Sequence, residues 1–217
     1  MMNITFYLDF VSPYAYLAFE RLPQALEGIS HRVTYKPILF AALLGHHGQL
    51  GPAEIAAKRD WTYRHVLWLG AQLGIAIDMP AAHPFNPLAL LRLALACDAQ
   101  GTPNRYVTET IFRHVWRGGA DAADATRLQA LSDTLGPARA PGDASVKQQL
   151  KHNTDDAIAA DVFGVPSFVV DDKVFWGLDA LPMLRACLAN DPWFGPGGGW
   201  EAAQQVGVGV QRNKQRP

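Results

Sequence analysis

The chain has 217 residues, 49% of them hydrophobic and 18% charged, with a formal net charge of −1. That length and balance suit one large domain, or a small domain carrying an insertion, and exclude a disordered chain. A near-neutral charge gives no reason to expect a nucleic-acid or anionic-membrane partner, and no apolar window is long enough to span a bilayer.

Residues 3–11 alternate. Ile4, Phe6, Leu8 and Phe10 face one way, and Thr5, Tyr7, Asp9 and Val11 the other. Both sides are mostly apolar, as in a central strand. The opening M-M-N-I-T-F-Y-L-D-F lacks the basic and continuously apolar regions of a secretory signal. It reads as that strand, and a cytoplasmic location is expected. Ser12 then stands at a helix N-cap and Pro13 at the first helical position, the preferred place for each. Tyr14, Leu17, Leu22, Ala25 and Leu26 form an apolar helical face closed by Gly28, with an internal Pro23 expected to kink it. Residues 33–36 make a second strand, stopped by Pro37. The helix between is long enough for a parallel crossover.

From about 40 to 150 strand signals nearly vanish, and proline starts and glycine stops punctuate the chain. Helices are expected from Pro52 to Gly74, from Pro87 to near Gly101, from Pro103 to Gly118-Gly119, and from Asp124 to Gly136. Residues 143–163 read as a further helix or helix pair. V-P-S-F-V-V, the turn Asp171-Asp172 and K-V-F-W-G then form a β-hairpin. A last helix is expected from Asp179 to Ala189. The Gly-rich stretch from Pro192, ending in the basic R-N-K-Q-R, reads as a loosely packed or mobile extension. Cys97 and Cys187 lie in apolar helical runs with no C-x-x-C, so both read as reduced structural thiols.

The order is βαβ, a helical block, then αββα, an α/β fold that a mixed four-stranded sheet accommodates. The expected division is residues 1–40 plus 151–190 as a discontinuous sheet domain, 41–150 as a helical insertion, and 191–217 as the extension. A cleft between two lobes is a common place for a ligand.

Five segments carry a family resemblance: F-Y-L-D-F-V-S-P-Y-A-Y-L-A, G-P-A-E-I-A-A-K-R, H-P-F-N-P, F-G-V-P-S-F-V-V and F-W-G-L-D. In this order, across the chain to about residue 190, they resemble the 2-hydroxychromene-2-carboxylate isomerase family, related to kappa-class glutathione transferases. The resemblance implies a thioredoxin-like fold with a helical insertion, as in DsbA-like proteins. It also implies glutathione as cofactor, a small aromatic substrate and, by analogy, a homodimer. In the family a serine replaces the first cysteine of the DsbA-like C-x-x-C, and S-P-Y-A, residues 12–15, fills that slot here. Ser12 cannot supply the thiolate that dithiol exchange needs.

Glutathione brings its own sulfur. A free thiol with pKa near ~8.5 is mostly protonated at neutral pH, whereas a hydroxyl and the first N–H groups of a helix favour the thiolate. The expected role of Ser12 is therefore to orient and stabilise the cofactor's thiolate. Alone, the motif would be only a cap worth about 1 kcal/mol. The resemblance implies a cis Val165-Pro166 bond, with the Val165 backbone pairing with glutathione like an added strand. An ordinary trans bond is the alternative. Trp176, Leu178 and Asp179 form a second anchor, in which Asp179 is expected to cap the last helix and grip the γ-glutamyl ammonium.

On the substrate side the resemblance points to Phe85 and Asn86, with Asn86 equally readable as a helix cap. Family members of naphthalene degradation carry a substrate-binding Lys and then an Asn where this chain has Leu44 and Glu54, and Lys58 and Arg59 nearby read as a solvated helix face. His46 and His47 read as loop histidines with no third metal ligand at useful spacing. Asp9 reads as a buried structural acceptor, with a proton relay as the alternative. Trp61, Tyr63 and Trp68 read as helix packing.

The implied reaction is thiolate addition to the C2-type carbon of the chromene, ring opening, rotation about a relieved double bond, and release of glutathione. A kappa-like glutathione transferase or peroxidase is the first rival reading. A non-catalytic binding protein on a thioredoxin scaffold is the second.

Overall fold

The structure, a computed structural model, describes residues 1–209. The basic R-N-K-Q-R segment, residues 212–216, lies outside the described residues.

Strand β1 (Met2–Leu8) runs through the middle of a four-stranded sheet of order β2-β1-β3-β4. It pairs in parallel with β2 (His31–Pro37) and antiparallel with β3 (Ser167–Val170), which forms the expected hairpin with β4 (Lys173–Trp176). Phe6 stands opposite both Tyr35 and Phe168. Two covered faces explain why β1 is apolar on both sides.

Helix α1 (Pro13–Ala25) crosses one face, burying Tyr16, Leu17, Phe19 and Leu22. Pro23 falls in its last turn, where few ladder bonds remain to be lost. Between β2 and β3 come α2 (Phe40–His47), a 3-10 turn (Pro52–Glu54), α3 (Ala56–Leu73), α4 (Leu88–Ala96), α5 (Arg105–Trp116), α6 (Ala125–Leu135) and α7 (Ala144–Ala159). After β4 come a 3-10 turn (Leu178–Ala180), α8 (Leu181–Leu188) and the short α9 (Gly199–Ala202). No helix among the described residues is long and apolar enough to cross a membrane.

The structure corrects several expectations. The His46-His47 pair is not in a loop but in the last turn of α2, closed by Gly48 in the left-handed region at φ 61°. Sequence periodicity misses α2 because its short apolar run is followed by glycines on both sides of the histidines. The helix expected from Pro52 is a 3-10 turn, an extended Ile55 and then α3. The helix from Pro87 stops at Ala96, where Asp98 takes up the N–H groups of Gln100 and Thr102 in a turn. The segment after Pro192 is not loose where it is described. Phe194 and Trp200 fold back onto Phe175, with ring centroids 5.9 and 5.6 Å away.

The main core joins sheet and helices around Phe6, Phe19, Phe112 and Trp116. A smaller cluster of Tyr7, Ile38, Leu43, Ala157, Val162 and Val165 includes residues of α2 and α7. Trp116 is the largest fully buried side chain, and its indole N–H donates to the Phe10 carbonyl at 3.0 Å. It thus fastens α5 to the turn that follows β1.

Trp116→Phe is expected to destabilise the protein by about 3 kcal/mol, from lost packing and an orphaned buried carbonyl. A urea titration checks this; an unchanged midpoint would show the fastening to be dispensable.

Candidate active site

The turn between β1 and α1 is held from several directions. The fully buried Asp9 carboxylate accepts the backbone N–H of Val11 at 3.1 Å and of Phe40 at 3.0 Å, and the Asp9 carbonyl accepts the Ser12 N–H at 3.1 Å. Burial pushes the Asp9 carboxyl up from 3.8 to about 7, against those N–H groups and that of Phe10. His83 donates from Nε2 to the Val11 carbonyl at 2.8 Å, and the Tyr63 hydroxyl meets its Nδ1 at 2.9 Å and its carbonyl at 2.7 Å. Burial lowers the His83 pKa, favouring the neutral ring.

This frame presents Ser12, which is only 7% exposed. Its Oγ accepts the Ala15 N–H at 3.2 Å as the N-cap of α1 and donates to the Val165 carbonyl at 3.5 Å. Pro13 brings no N–H, and that of Tyr14 is among the first-turn donors a helix leaves unpaired. Those donors and the helix dipole favour an anion beside Ser12.

Val165-Pro166 is cis, and so is His83-Pro84, which carried no expectation. Trp176 is 53% exposed, and its indole lies across Gly164 with Phe163 at 5.0 Å. Asp179 lies in the 3-10 turn before α8, which begins at Leu181 with no side-chain cap. The expected cap is therefore corrected. The Asp179 carboxylate folds over Gly177, whose φ of +100° brings the turn that close.

A single cleft of about 1740 Å³ collects these groups. Ser12, Val165, Pro166, Trp176, Leu178 and Asp179 line it from the sheet side, and Phe85 from the helical side. Asn86 is absent from the lining; its Oδ1 accepts the Leu88 N–H at 3.0 Å from one residue before Pro87, which holds the N-cap position. Leu44 and Glu54 both line the cleft, the latter holding the Gly51 N–H at 2.6 Å. Lys58 is an exposed amine on the same wall.

Sequence reasoning missed Tyr14, His65 and His83, all on the lining. It also misplaced the aromatics of α3. Trp61 and Trp68 are 63% and 57% exposed and flank the His65 ring, and Tyr63 serves as the partner of His83. Spacing of i, i+4 and i+7 marks Trp61, His65 and Trp68 as one helix face. The contact of His83 with Val11 has no local signal. Among the described residues, no group of three or more His, Cys, Asp or Glu is placed to hold a metal.

The DSBA-like thioredoxin domain family matches residues 3–189. The 2-hydroxychromene-2-carboxylate isomerase of Pseudomonas putida is 31% identical over 197 residues, covering 87% of this chain and 95% of its own. Glutathione s-transferase kappa 2 of Caenorhabditis elegans is 24% identical over 213 residues, covering 89% of this chain and 94% of its own. A solved structure of 2-hydroxychromene-2-carboxylate isomerase superposes with a TM-score of 0.77 at 23% identity, over 95% of this chain and 100% of that one.

Two outcomes follow from the geometry. A Cβ on Gly164 would stand 2.5 Å from the Trp176 indole nitrogen, so Gly164→Ala must displace the indole. A urea titration is expected to show a loss of about 1 kcal/mol; an unchanged midpoint would show that the indole gives way freely. The folded pKa of Asp9 lies above its ordinary value, so the native state keeps a proton that the unfolded chain releases. Its contribution is full below pH 3.8 and is lost as pH rises through about 7. Measured against Asp9→Asn, the urea stability of wild type should fall by up to about 4 kcal/mol across that window. A difference between the two proteins that stays constant with pH would contradict this.

Proposed function

This chain belongs to the DSBA-like thioredoxin domain family and, within it, to the family of the 2-hydroxychromene-2-carboxylate isomerases, and from that premise we propose that it is a glutathione-dependent isomerase. The observation that carries the reading is Ser12, a hydroxyl at the start of α1, on the cleft, in a slot where thiol chemistry would need cysteine. Ala15 supplies no second thiol. The sulfur must therefore come from a ligand, and kappa-class relatives carry glutathione in their name.

In this reading the thiolate lies beside Ser12 Oγ, which turns from the Val165 carbonyl to donate to sulfur. The Val165 backbone pairs with the cysteinyl part of glutathione. Asp179, exposed and without a capping duty, meets the γ-glutamyl ammonium, and Trp176 packs along the tripeptide. The substrate enters on the Phe85 side.

Opening the cyclic hemiketal of a 2-hydroxychromene gives a phenol and a ketone conjugated to a C=C bond. The thiolate adds to the alkene carbon remote from the ketone, forming C–S and moving the π pair to an enolate oxygen. The former double bond is then single and rotates. Collapse of the enolate re-forms C=C and expels the thiolate, so glutathione is regenerated. Attack at this carbon, rather than at the C2-type carbon, is the step that relieves the double bond.

Leu44 and Glu54 on the lining favour a second reading at the substrate end. A kappa-like transferase would use the same thiolate with an electrophile that needs no cation there. The two differ in whether glutathione is consumed.

Turnover of 2-hydroxychromene-2-carboxylate, followed by absorbance with and without glutathione, tests the proposal. Activity should require glutathione without consuming it, and Ser12→Ala should lower kcat about 10²–10³-fold. Activity indifferent to glutathione would sink the reading, and stoichiometric consumption would select the transferase.

A further inference from the structure

Two side chains that the sulfur chemistry does not use meet across the cleft. The Tyr14 hydroxyl, two residues after Ser12 on α1, lies 2.8 Å from Nδ1 of His65 on α3. Both line the cleft, one from the sheet side and one from the helical side.

The arrangement is built on both sides. The His65 ring lies 5.7 Å from Trp61 and 6.3 Å from Trp68, within 18° and 14° of parallel. Two indoles this exposed add little to a core. Their evident effect is to fix the imidazole, and an indole face favours a positive charge stacked on it. Burial raises the Tyr14 pKa, which favours the protonated hydroxyl. The second tyrosine–histidine pair differs. His83 has one ring nitrogen committed to Val11 and the other facing Tyr63, and it acts as a brace.

We propose that Tyr14 is a catalytic residue that exchanges a proton with the substrate's oxygens during ring opening, and that His65, acting through it, is its positioning residue. This deepens the isomerase reading and rests on it. The starting state has His65 as the Nε2–H tautomer. The hemiketal hydroxyl passes its proton to the Tyr14 oxygen while the Tyr14 proton passes to His65 Nδ1. The hemiketal oxygen becomes the ketone oxygen, the bond from that carbon to the ring oxygen breaks, and its electron pair stays on the ring oxygen as phenolate. The proton then returns from His65 to Tyr14 and from Tyr14 to the phenolate. No proton is gained or lost, as an isomerisation requires.

The test uses the full chain with glutathione and 2-hydroxychromene-2-carboxylate. Tyr14→Phe should lower kcat about 10²-fold or more, while KM for glutathione and the thermal shift glutathione induces stay within error of wild type. His65→Ala should lower kcat about tenfold or more, and imidazole added to the buffer should restore a large part of it. The proposal is overturned by Tyr14→Phe turning over within about twofold of wild type, by loss of the glutathione shift in that variant, or by no rescue of His65→Ala. Wild type that shows the shift without turnover also overturns it while leaving glutathione binding intact. Wild type with neither shift nor turnover removes the isomerase reading and this one together.

Discussion

A buried turn must satisfy its backbone, and the turn at residues 9–12 does so with groups from across the chain. Asp9 takes the N–H of Val11, and its main-chain carbonyl takes that of Ser12. Trp116 on α5 takes the Phe10 carbonyl, and His83 takes that of Val11. The same Asp9 carboxylate reaches the start of α2 through Phe40. Beyond Asp9 itself, the partners come from α5, the start of α2 and the segment between α3 and α4, so the turn keeps this shape only when sheet and helices are packed together. Ser12 inherits its position from that packing. The hydroxyl is a helix cap by local chemistry, and tertiary placement brings it onto the cleft beside Val165.

The two sides of the cleft divide the work. The sheet side supplies features suited to a peptide-like cofactor: an edge of backbone at Val165, an indole across Gly164, and a carboxylate free of capping duty at Asp179. The helical side supplies aromatic and ionisable side chains: Phe85, Trp61, His65, Lys58 and Glu54. Leu44 lines the same side, beside Glu54. The cleft's about 1740 Å³ exceeds the ~300–1,000 Å³ of common ligand pockets.

Much of this was legible in the sequence because the signals are local. Alternation gave β1, Asp171-Asp172 marked the hairpin, and Gly74 and Gly136 ended α3 and α6 in the left-handed conformation. The Ser12-Pro13 start and the motif at 163–170 point to a site only through the family resemblance they carry together; alone, Ser12-Pro13 reads as a helix cap. What failed is tertiary. Asp179 looked like a cap, but the 3-10 turn delays α8 by two residues and releases its carboxylate. Asn86 reads equally as a cap and a substrate contact; in the structure Pro87 holds the N-cap position and the Asn86 amide oxygen accepts the Leu88 N–H. Large aromatics are usually buried, so Trp61 and Trp68 read as packing, whereas they stand in solvent around a histidine. Tyr14 fits an apolar helical face, and its hydroxyl meets His65 only when α3 comes alongside.

The central claim is that Ser12 holds a thiolate it does not itself possess. Titrating the thiol of glutathione bound to the full chain, by the ultraviolet absorbance of the thiolate, measures this directly in wild type and Ser12→Ala. The account predicts a bound thiol at least about one unit more acidic than the ~8.5 of a free thiol, returning toward that value when the hydroxyl is removed. A bound thiol that titrates at or above the free value in wild type, or one equally acidic in both proteins, would contradict it.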